Sequence, residues 1–108
     1  MSVRVKVCGI TRIEDAEAAI QSGVDAIGFV FWHKSARNID PESAGRISAL
    51  IPPFVCTVGV YVDPDAAWVK ETARAAKLNL LQFHGNESPD FCNQFSQPYI
   101  KAIRVKSD

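Results

Sequence analysis

Cys8 is the residue whose type and position most clearly suggest chemistry. Hydrophobic and polar residues alternate over residues 3–8, which predicts a β-strand with Cys8 at its carboxyl end. Thr11 and Glu14 have the spacing of a capping box, which predicts that a helix begins just after this strand. The partial positive charge of a helix amino terminus favours a thiolate, so Cys8 could act as a base or nucleophile. The alternative is a buried cysteine in an ordinary strand–helix turn.

Two other pairs of polar residues follow or end predicted strands. Lys34 and Arg37 lie three residues apart in one loop, where two cations could hold a carboxylate or a phosphate. The alternative for this pair is a solvated basic loop. Gln82 and His84 share one face of a predicted strand, with Phe83 on the other, and could point into a barrel interior. The alternative for His84 is a core histidine with satisfied hydrogen bonds.

Composition and missing motifs disfavour several classes of protein. The chain has 108 residues, of which 47% are hydrophobic and 22% charged, and its twelve basic residues balance twelve acidic ones. This balance is not typical of a nucleic-acid or membrane-surface binder. No apolar run approaches the roughly 20 residues of a membrane span. The sequence has no Walker motif and no G-x-G-x-x-G, so a nucleotide-binding fold of those types is disfavoured.

The cysteines indicate a reducing compartment. Cys8, Cys56 and Cys92 are odd in number and widely spaced, without C-x-x-C or metal-ligand spacing. We interpret them as free thiols. The amino terminus also lacks the apolar region of a signal peptide. Together these features predict a cytoplasmic protein.

Strands and helices are predicted to alternate along the whole chain. The predicted strands are residues 3–8, 26–32, 55–62, 78–84 and 99–105. After the first helix, predicted to end at Gly23, three similar helix starts follow: Asp40-Pro41-Glu42, Asp63-Pro64-Asp65 and Ser88-Pro89-Asp90. Strict alternation predicts one domain over residues 1–108, an α/β fold with parallel strands and right-handed crossovers.

Two architectures fit this order, an open doubly wound sheet and part of a (β/α)8 barrel. A whole barrel takes roughly 250 residues, so this chain could supply only its first five strands. In both architectures ligands bind at the carboxyl ends of the strands. Those ends carry Cys8, the loop over residues 32–37 and His84.

Four segments together resemble one known family. Residues 6–11 (K-V-C-G-I-T) resemble the K-x-C-G-[IL]-T opening of phosphoribosylanthranilate isomerase, an enzyme family of tryptophan biosynthesis. Its second to fourth strands and their loops resemble residues 28–37 (G-F-V-F, then K-S-A-R), 58–62 (V-G-V-Y-V) and 81–85 (L-Q-F-H-G). The resemblance extends from residue 3 to about residue 105.

The resemblance implies a (β/α)8 TIM barrel that needs no cofactor and no metal. It implies an Amadori rearrangement, in which the aminoaldose N-(5′-phosphoribosyl)anthranilate becomes an aminoketose. The family's roles transfer to matching residues: Cys8 would be the general base, and Arg37 would contact the anthranilate carboxylate. His84 would lie beside the substrate. The related sugar-phosphate isomerases of histidine biosynthesis are disfavoured, because they have an aspartate where Cys8 stands.

The sequence departs from the family in two respects. Ala36 stands where the family usually has proline, a small change in loop stiffness. The family's general acid is an aspartate in a Phe-Asp-Trp-like segment, and its phosphate loops follow strands seven and eight; none of these occurs here. We therefore expect an amino-terminal barrel fragment that is inactive alone. Its unpaired strand edges should make it self-associate or rearrange toward an open sheet. The alternative is a non-catalytic half-barrel module that self-associates or binds a complementary fragment.

Overall fold

The computed structural model describes residues 4–102, which form one five-stranded sheet and four helices. The strands are β1 (Lys6–Cys8), β2 (Ala26–Val30), β3 (Cys56–Tyr61), β4 (Leu80–Phe83) and β5 (Tyr99–Lys101). The helices are α1 (Ile13–Gln21), α2 (Pro41–Ser48), α3 (Ala66–Ala75) and α4 (Pro89–Asn93). The predicted alternation of strand and helix is thus confirmed over the described residues.

The order of the strands decides between the two architectures. All five strands are parallel, and their order in the sheet is β1-β2-β3-β4-β5. A doubly wound sheet reverses its order at a switch point, whereas a (β/α)8 barrel adds each strand beside the previous one. The sheet therefore has the order of the first five strands of a barrel.

The sheet is also strongly curved. The Lys6 ammonium on β1 donates a hydrogen bond to the side-chain oxygen of Gln82 on β4, although β2 and β3 lie between these strands. In a flat sheet three strand spacings, roughly 14 Å in total, would separate the two strands. A contact across them requires that the sheet curl around its inner face, as it does in a barrel wall.

The main core lies between the outer face of the sheet and the helices. Ile27, Phe29, Leu81 and Phe83 are fully buried on this face. Tyr61 lies beside Phe83 in the sheet, and its hydroxyl lies 2.6 Å from the Thr72 hydroxyl of α3. Burying these aromatic and aliphatic side chains under the helices fixes the sheet that carries the strand ends.

The inner face of the sheet has a second, smaller apolar cluster. Val30, Val58 and Val60 form its buried part, and Cys8 and Trp32 are among the partly buried residues packed against it. The strand register explains the grouping, since Cys8 pairs with a β2 residue that in turn pairs with Val58. Cys8 therefore faces the interior of the curved sheet.

Two of the predicted helix starts are confirmed in detail. Asp40 is the N-cap of α2. Its carboxylate accepts one hydrogen bond from the backbone N–H of Ser43, at 3.0 Å, and another from the Ser43 hydroxyl, at 2.7 Å. These bonds hold the pKa of the Asp40 carboxyl below its usual value. Ser88 caps α4 in the same way, accepting from the backbone N–H of Phe91 at 3.1 Å. Gly23, with φ of 84°, ends α1 as predicted.

Two predicted caps are wrong. Thr11 does not cap α1, because the chain stays extended through Arg12 (φ −132°, ψ 145°), which is itself the N-cap. Glu14 accepts a hydrogen bond from the Arg12 guanidinium at 3.2 Å and is not part of a capping box. Asp63 does not start α3, since Asp65 takes the N-cap position without a side-chain cap. The Asp63 carboxylate instead accepts from the backbone N–H of Asn86 at 2.6 Å.

The strands are shorter than the sequence predicted. β2 ends at Val30, two residues before the predicted end, and β4 occupies only the middle of its predicted range. Apolar runs cannot separate a strand from the buried residues that flank it, so boundaries were the weakest part of the prediction. Residues 103–105 of the predicted fifth strand and Val3 of the first lie outside the described residues. Within residues 4–102, no helix has the length and apolar character needed to cross a membrane.

Candidate active site

Cys8 lies at the carboxyl end of β1 on the inner face of the sheet, where its side chain is half-buried. Gly28 is its partner on β2, and a Cβ placed on Gly28 would lie only 2.9 Å from the Cys8 sulfur. The missing side chain at Gly28 therefore makes the space that the thiol occupies. Sequence analysis did not identify this role of Gly28, although a glycine inside an apolar strand often marks a close approach.

Arg37 lies against the turn that follows Cys8. Its guanidinium Nη1 donates a hydrogen bond to the Cys8 carbonyl oxygen at 3.3 Å. Gly9, with φ of 83°, gives the arginine this position, since a Cβ on Gly9 would lie 2.4 Å from Arg37 Cδ. The Gly9 and Ile10 N–H groups both donate to the carbonyl of Gly28, at 3.0 and 3.3 Å. The turn thus brings a cation from the second loop to the strand end that carries the thiol.

Of the two predicted cations, Lys34 and Arg37, only Arg37 lies against the turn that follows Cys8. Arg37 contacts the turn after β1, whereas Lys34 is exposed in the same loop and makes no hydrogen bond or ion pair with another described residue. The loop is held by Ser35, whose hydroxyl accepts from the Arg37 backbone N–H at 3.1 Å. The helix start expected near Cys8 is also farther along the chain, at Ile13. Arg37, and not the amino terminus of a helix, is therefore the cationic group that contacts the turn after Cys8.

Gln82 and His84 share the inner face, as predicted. The Gln82 amide nitrogen lies 2.7 Å from His84 Nε2, and the amide oxygen accepts from the Lys6 ammonium. Phe83, between them in sequence, is buried on the opposite face. His84 is half-buried just beyond the end of β4, and its backbone N–H donates to the Tyr61 carbonyl at 2.9 Å. The histidine is therefore a strand-end residue on the same face as Cys8.

A second polar cluster, missed by the sequence analysis, joins the carboxyl ends of β3, β4 and β5. Its centre is Glu87, whose side chain is only 2% exposed and which pairs with the Lys101 ammonium at 2.5 Å. The other Glu87 oxygen accepts from the backbone N–H groups of Asp63, at 2.8 Å, and Gly85, at 3.2 Å. Lys101 also donates to the Gly85 carbonyl. Glu87 follows the L-Q-F-H-G segment by two residues, but no local pattern shows that its carboxylate is buried.

The pKa of the Glu87 carboxyl reflects opposing effects. Burial raises it, but hydrogen bonds from Lys101 and the backbone, with the charge of Lys101, outweigh burial and bring the pKa below its ordinary value. Glu87 is thus held ionised, and it cannot serve as a proton donor at neutral pH. We interpret this cluster as a structural tie between strand ends.

The two other cysteines occupy different environments from that of Cys8. Cys56 starts β3, at the opposite end of the strands, and burial raises the pKa of its thiol despite the opposing charge of Lys6. Cys92 is buried in α4, and burial raises the pKa of its thiol as well. Cys8 alone of the three thiols therefore combines a strand carboxyl end with a half-exposed side chain.

The order and curvature of the sheet, with Cys8, Arg37 and His84 at its carboxyl ends, define the (β/α)8-barrel class of proteins. The sequence model of the family described as N-(5′-phosphoribosyl)anthranilate (PRA) isomerase matches residues 5–108. The chain belongs to this family. The resemblance drawn from the strand-end motifs is thereby confirmed.

Individual relatives agree with this membership. The N-(5′-phosphoribosyl)anthranilate isomerase of Nitrosospira multiformis is 65% identical over 106 residues, which are 98% of this chain and 51% of the relative. A solved phosphoribosylanthranilate isomerase in complex with reduced 1-(o-carboxyphenylamino)-1-deoxyribulose 5-phosphate has a TM-score of 0.93 and 46% identity. The match covers 97% of this chain and 55% of that structure.

A third relative is a structure of monomers generated from the dimeric phosphoribosylanthranilate isomerase of Thermotoga maritima. Its TM-score is 0.92 at 42% identity, and the match covers 98% of this chain and 55% of that one. The 108-residue chain therefore spans about half the length of the relatives it matches. In fold it corresponds to the amino-terminal half of their barrel.

Proposed function

We propose that this chain is the part of a phosphoribosylanthranilate isomerase that carries the general base and holds the anthranilate carboxylate. The observation that carries the proposal is the bond from the Arg37 guanidinium to the Cys8 carbonyl, which holds a cation against the backbone of the strand-end cysteine. The ligand in the solved relative has a carboxyphenylamino group. An arginine is the side chain best suited to such a carboxylate, because its planar fork can bind both oxygens.

In the proposed step the Cys8 thiolate takes the proton from the carbon next to the protonated imine. The electrons of that C–H bond form a C=C bond, and the imine π electrons move to nitrogen, which becomes neutral. The enolamine then loses its enol O–H proton and gains a proton at the former imine carbon, which gives the aminoketose. This chemistry requires a thiol that reaches both solvent and ligand, and the half-buried Cys8 fits that requirement.

The resemblance assigns the general acid and the phosphate loops to segments that are not in these 108 residues. We therefore propose that the chain alone has negligible isomerase activity and that a complementary carboxyl-terminal half completes the site. His84, at the end of β4, would lie beside the bound substrate. The proposed ligand is the phosphoribosylated anthranilate, with no cofactor, metal, nucleic acid or membrane involved.

A reconstitution assay tests this proposal. The chain is mixed with the carboxyl-terminal portion of the Nitrosospira multiformis isomerase that follows the matched region, and fluorescence follows consumption of the phosphoribosyl anthranilate. We expect turnover from the mixture and none from either part. In the mixture Arg37→Gln should raise KM roughly tenfold or more, since a charge-assisted bond contributes about 1.5–3 kcal/mol.

Lys34→Gln is the matched control, because Lys34 lies in the same loop but makes no bond to the turn after Cys8. It should change KM less than threefold. Turnover by the unmixed chain at a rate comparable to the mixture would overturn the proposed division of the site. An Arg37→Gln variant with unchanged KM would overturn the assignment of the carboxylate holder.

We further propose that the chain self-associates when no complementary half is present. Among the described residues β1 and β5 each pair with a single neighbouring strand, so both edges are open. Val5, just before β1, and Ile100, on β5, are each 47% exposed at these edges. Open edges with apolar side chains favour pairing with another chain. The same feature supports the alternative function, a non-catalytic half-barrel that binds a copy of itself or a complementary fragment.

Light scattering during size-exclusion chromatography tests self-association. We expect at least twice the monomer mass for the chain, and a shift toward the monomer for Ile100→Lys, which places a charge on the β5 edge. Phe54→Lys is the control, because Phe54 is 87% exposed but lies in the loop before β3, away from both edges. A folded monomer at micromolar concentration would contradict this proposal.

We also propose that the chain works in the cytoplasm. The support is chemical: Cys8 must remain a free thiol to act as a base, and cytoplasmic conditions keep exposed thiols reduced.

A further inference from the structure

The hydrogen bonds of Gln82 fix the direction of its amide group. Lys6 approaches one end of the amide and His84 the other, and the distance from the Gln82 nitrogen to His84 Nε2 is 2.7 Å. An ammonium group has three donors and no acceptor, so it can bond only to the amide oxygen. The amide NH2 group must then face the histidine. The charge of Lys6 thus decides an orientation that the amide alone would leave open.

This orientation constrains the proton on His84. The Gln82 NH2 group is a donor, so His84 Nε2 must accept and cannot carry a hydrogen. A neutral imidazole has one protonated nitrogen, which leaves Nδ1 as the protonated one. An imidazolium would place two donors against each other at 2.7 Å. The arrangement of Lys6, Gln82 and His84 is therefore consistent with one tautomer in one charge state.

We propose that Lys6 and Gln82 are positioning residues that hold His84 as the neutral Nδ1–H tautomer. Lys6 lies on β1, two residues before Cys8, and Gln82 lies on β4. The hydrogen bonds from Lys6 through Gln82 to His84, here called the relay, therefore cross the inner face of the sheet. The backbone bond from the His84 N–H to the Tyr61 carbonyl fixes the ring's attachment point. The relay fixes which ring nitrogen faces Gln82.

The consequence for the substrate rests on the proposed function, whereas the tautomer itself does not. A neutral His84 ring adds no positive charge of its own to the site, so the imidazole would not compete with Arg37 for the carboxylate of the substrate. It also keeps His84 from competing with Cys8 as a base through Nε2, because that nitrogen already accepts a hydrogen bond. Lys6 and Gln82 would then set the orientation of the substrate without touching it.

Nitrogen NMR of the 108-residue chain labelled with ¹⁵N-histidine tests the tautomer. The chain has only two histidines, and the exposed His33 supplies the signal of a solvated ring in the same sample. At pH 8, above the ordinary histidine pKa of about 6.5, long-range ¹H–¹⁵N correlations show which nitrogen of each ring is protonated. For His84 we expect a protonated Nδ1 and an unprotonated Nε2.

Two variants separate the relay from a general effect of the fold. Gln82→Glu leaves only acceptors beside the ring, so the proton should move to Nε2 and the Nδ1–H signals of His84 should be lost. Lys6→Met frees the amide to turn, so both tautomers should become populated. Lys70→Met, an exposed lysine on α3, is the control and should leave the His84 spectrum unchanged. The His33 signals should be the same in all variants.

A protonated Nε2 in the unsubstituted chain at pH 8 would overturn the proposal. So would a Lys6→Met variant whose His84 signals match those of the unsubstituted chain. If Gln82→Glu fails to fold, the tautomer of the unsubstituted chain and the His84 signals of Lys6→Met still test the proposal. None of them involves substrate, so a failed reconstitution assay would count against the proposed function and leave the tautomer assignment standing.

Discussion

At the scale of single residues, the candidate site depends as much on glycines, which lack side chains, as on the polar side chains it brings together. Cys8 has room for its sulfur because Gly28 has no Cβ, and Arg37 reaches the turn because Gly9 has none. The two-residue period of the strands predicted the positions of Cys8 and His84. It could not predict the two glycine contacts, because each depends on what lies across from the glycine on another element.

Gly9→Ala and Gly23→Ala should destabilise the fold by similar amounts, but only Gly9→Ala should displace Arg37. Both glycines have nearly the same φ, 83° and 84°, so alanine should cost about 1–2 kcal/mol at either position. At Gly23 an added Cβ meets nothing within 4 Å, whereas at Gly9 it would lie 2.4 Å from Arg37 Cδ, and this exposed side chain can move aside. Urea unfolding should show similar losses of unfolding free energy for the two variants, whereas KM of the reconstituted barrel should rise for Gly9→Ala alone.

An Arg37→Ala background tests whether the rise in KM comes from the arginine. In that background Gly9→Ala should leave KM unchanged. A further rise in KM there would show that Gly9→Ala acts through the turn itself and not through Arg37.

At the scale of elements, side-chain caps and buried ties hold the strand ends in place. The prediction that Asp40 and Ser88 cap helices is confirmed, because each side chain accepts a hydrogen bond from a backbone N–H in the first helical turn. Asp63, like Asp40 and Ser88, is followed by proline but joins the loop after β4. The Asp63 carboxylate bonds to a residue more than twenty positions away in sequence and is therefore not available to cap the helix. A pattern of neighbouring residues cannot predict such a contact.

The Glu87–Lys101 tie predicts a pH dependence of stability. The pKa of Glu87 is lowered on folding, so its ionised form stabilises the fold above its ordinary value of 4.5, and this stability is lost as the pH falls through the folded pKa. Glu87→Gln should therefore lower the unfolding free energy by about 1–3 kcal/mol at pH 7. Below pH 4.5 the difference from the unsubstituted chain should shrink.

Glu14→Gln is the matched control for this measurement. Glu14 also pairs with a cation, Arg12, but its side chain is 69% exposed, and exposed pairs contribute little. Urea unfolding between pH 3 and pH 7 should show almost no change for Glu14→Gln. A pH-independent effect of Glu87→Gln would mean that Glu87 acts by packing and not by charge.

At the scale of the whole molecule, alternation of strands and helices predicted parallel strands but not their order. An open doubly wound sheet and a partial barrel share the same sequence pattern, and only the resemblance to a family favoured the barrel. The structure confirms the barrel order, and the Lys6–Gln82 contact shows the curvature. The contact that shows the curvature joins strands far apart in sequence, so no pattern of neighbouring residues predicts it. The same curvature brings the strand ends of β1 and β4 toward one site.

The measurement that tests the central claim most directly is kcat of the reconstituted barrel with Cys8→Ser. A general base typically contributes 10²–10⁴-fold, so we expect kcat to fall by at least about a hundredfold with KM little changed. Cys56→Ser, a change of the half-buried thiol at the other end of the strands, should keep kcat within a few-fold of the unsubstituted chain. A Cys8→Ser variant that keeps kcat within a few-fold would contradict the assignment of Cys8 as the base.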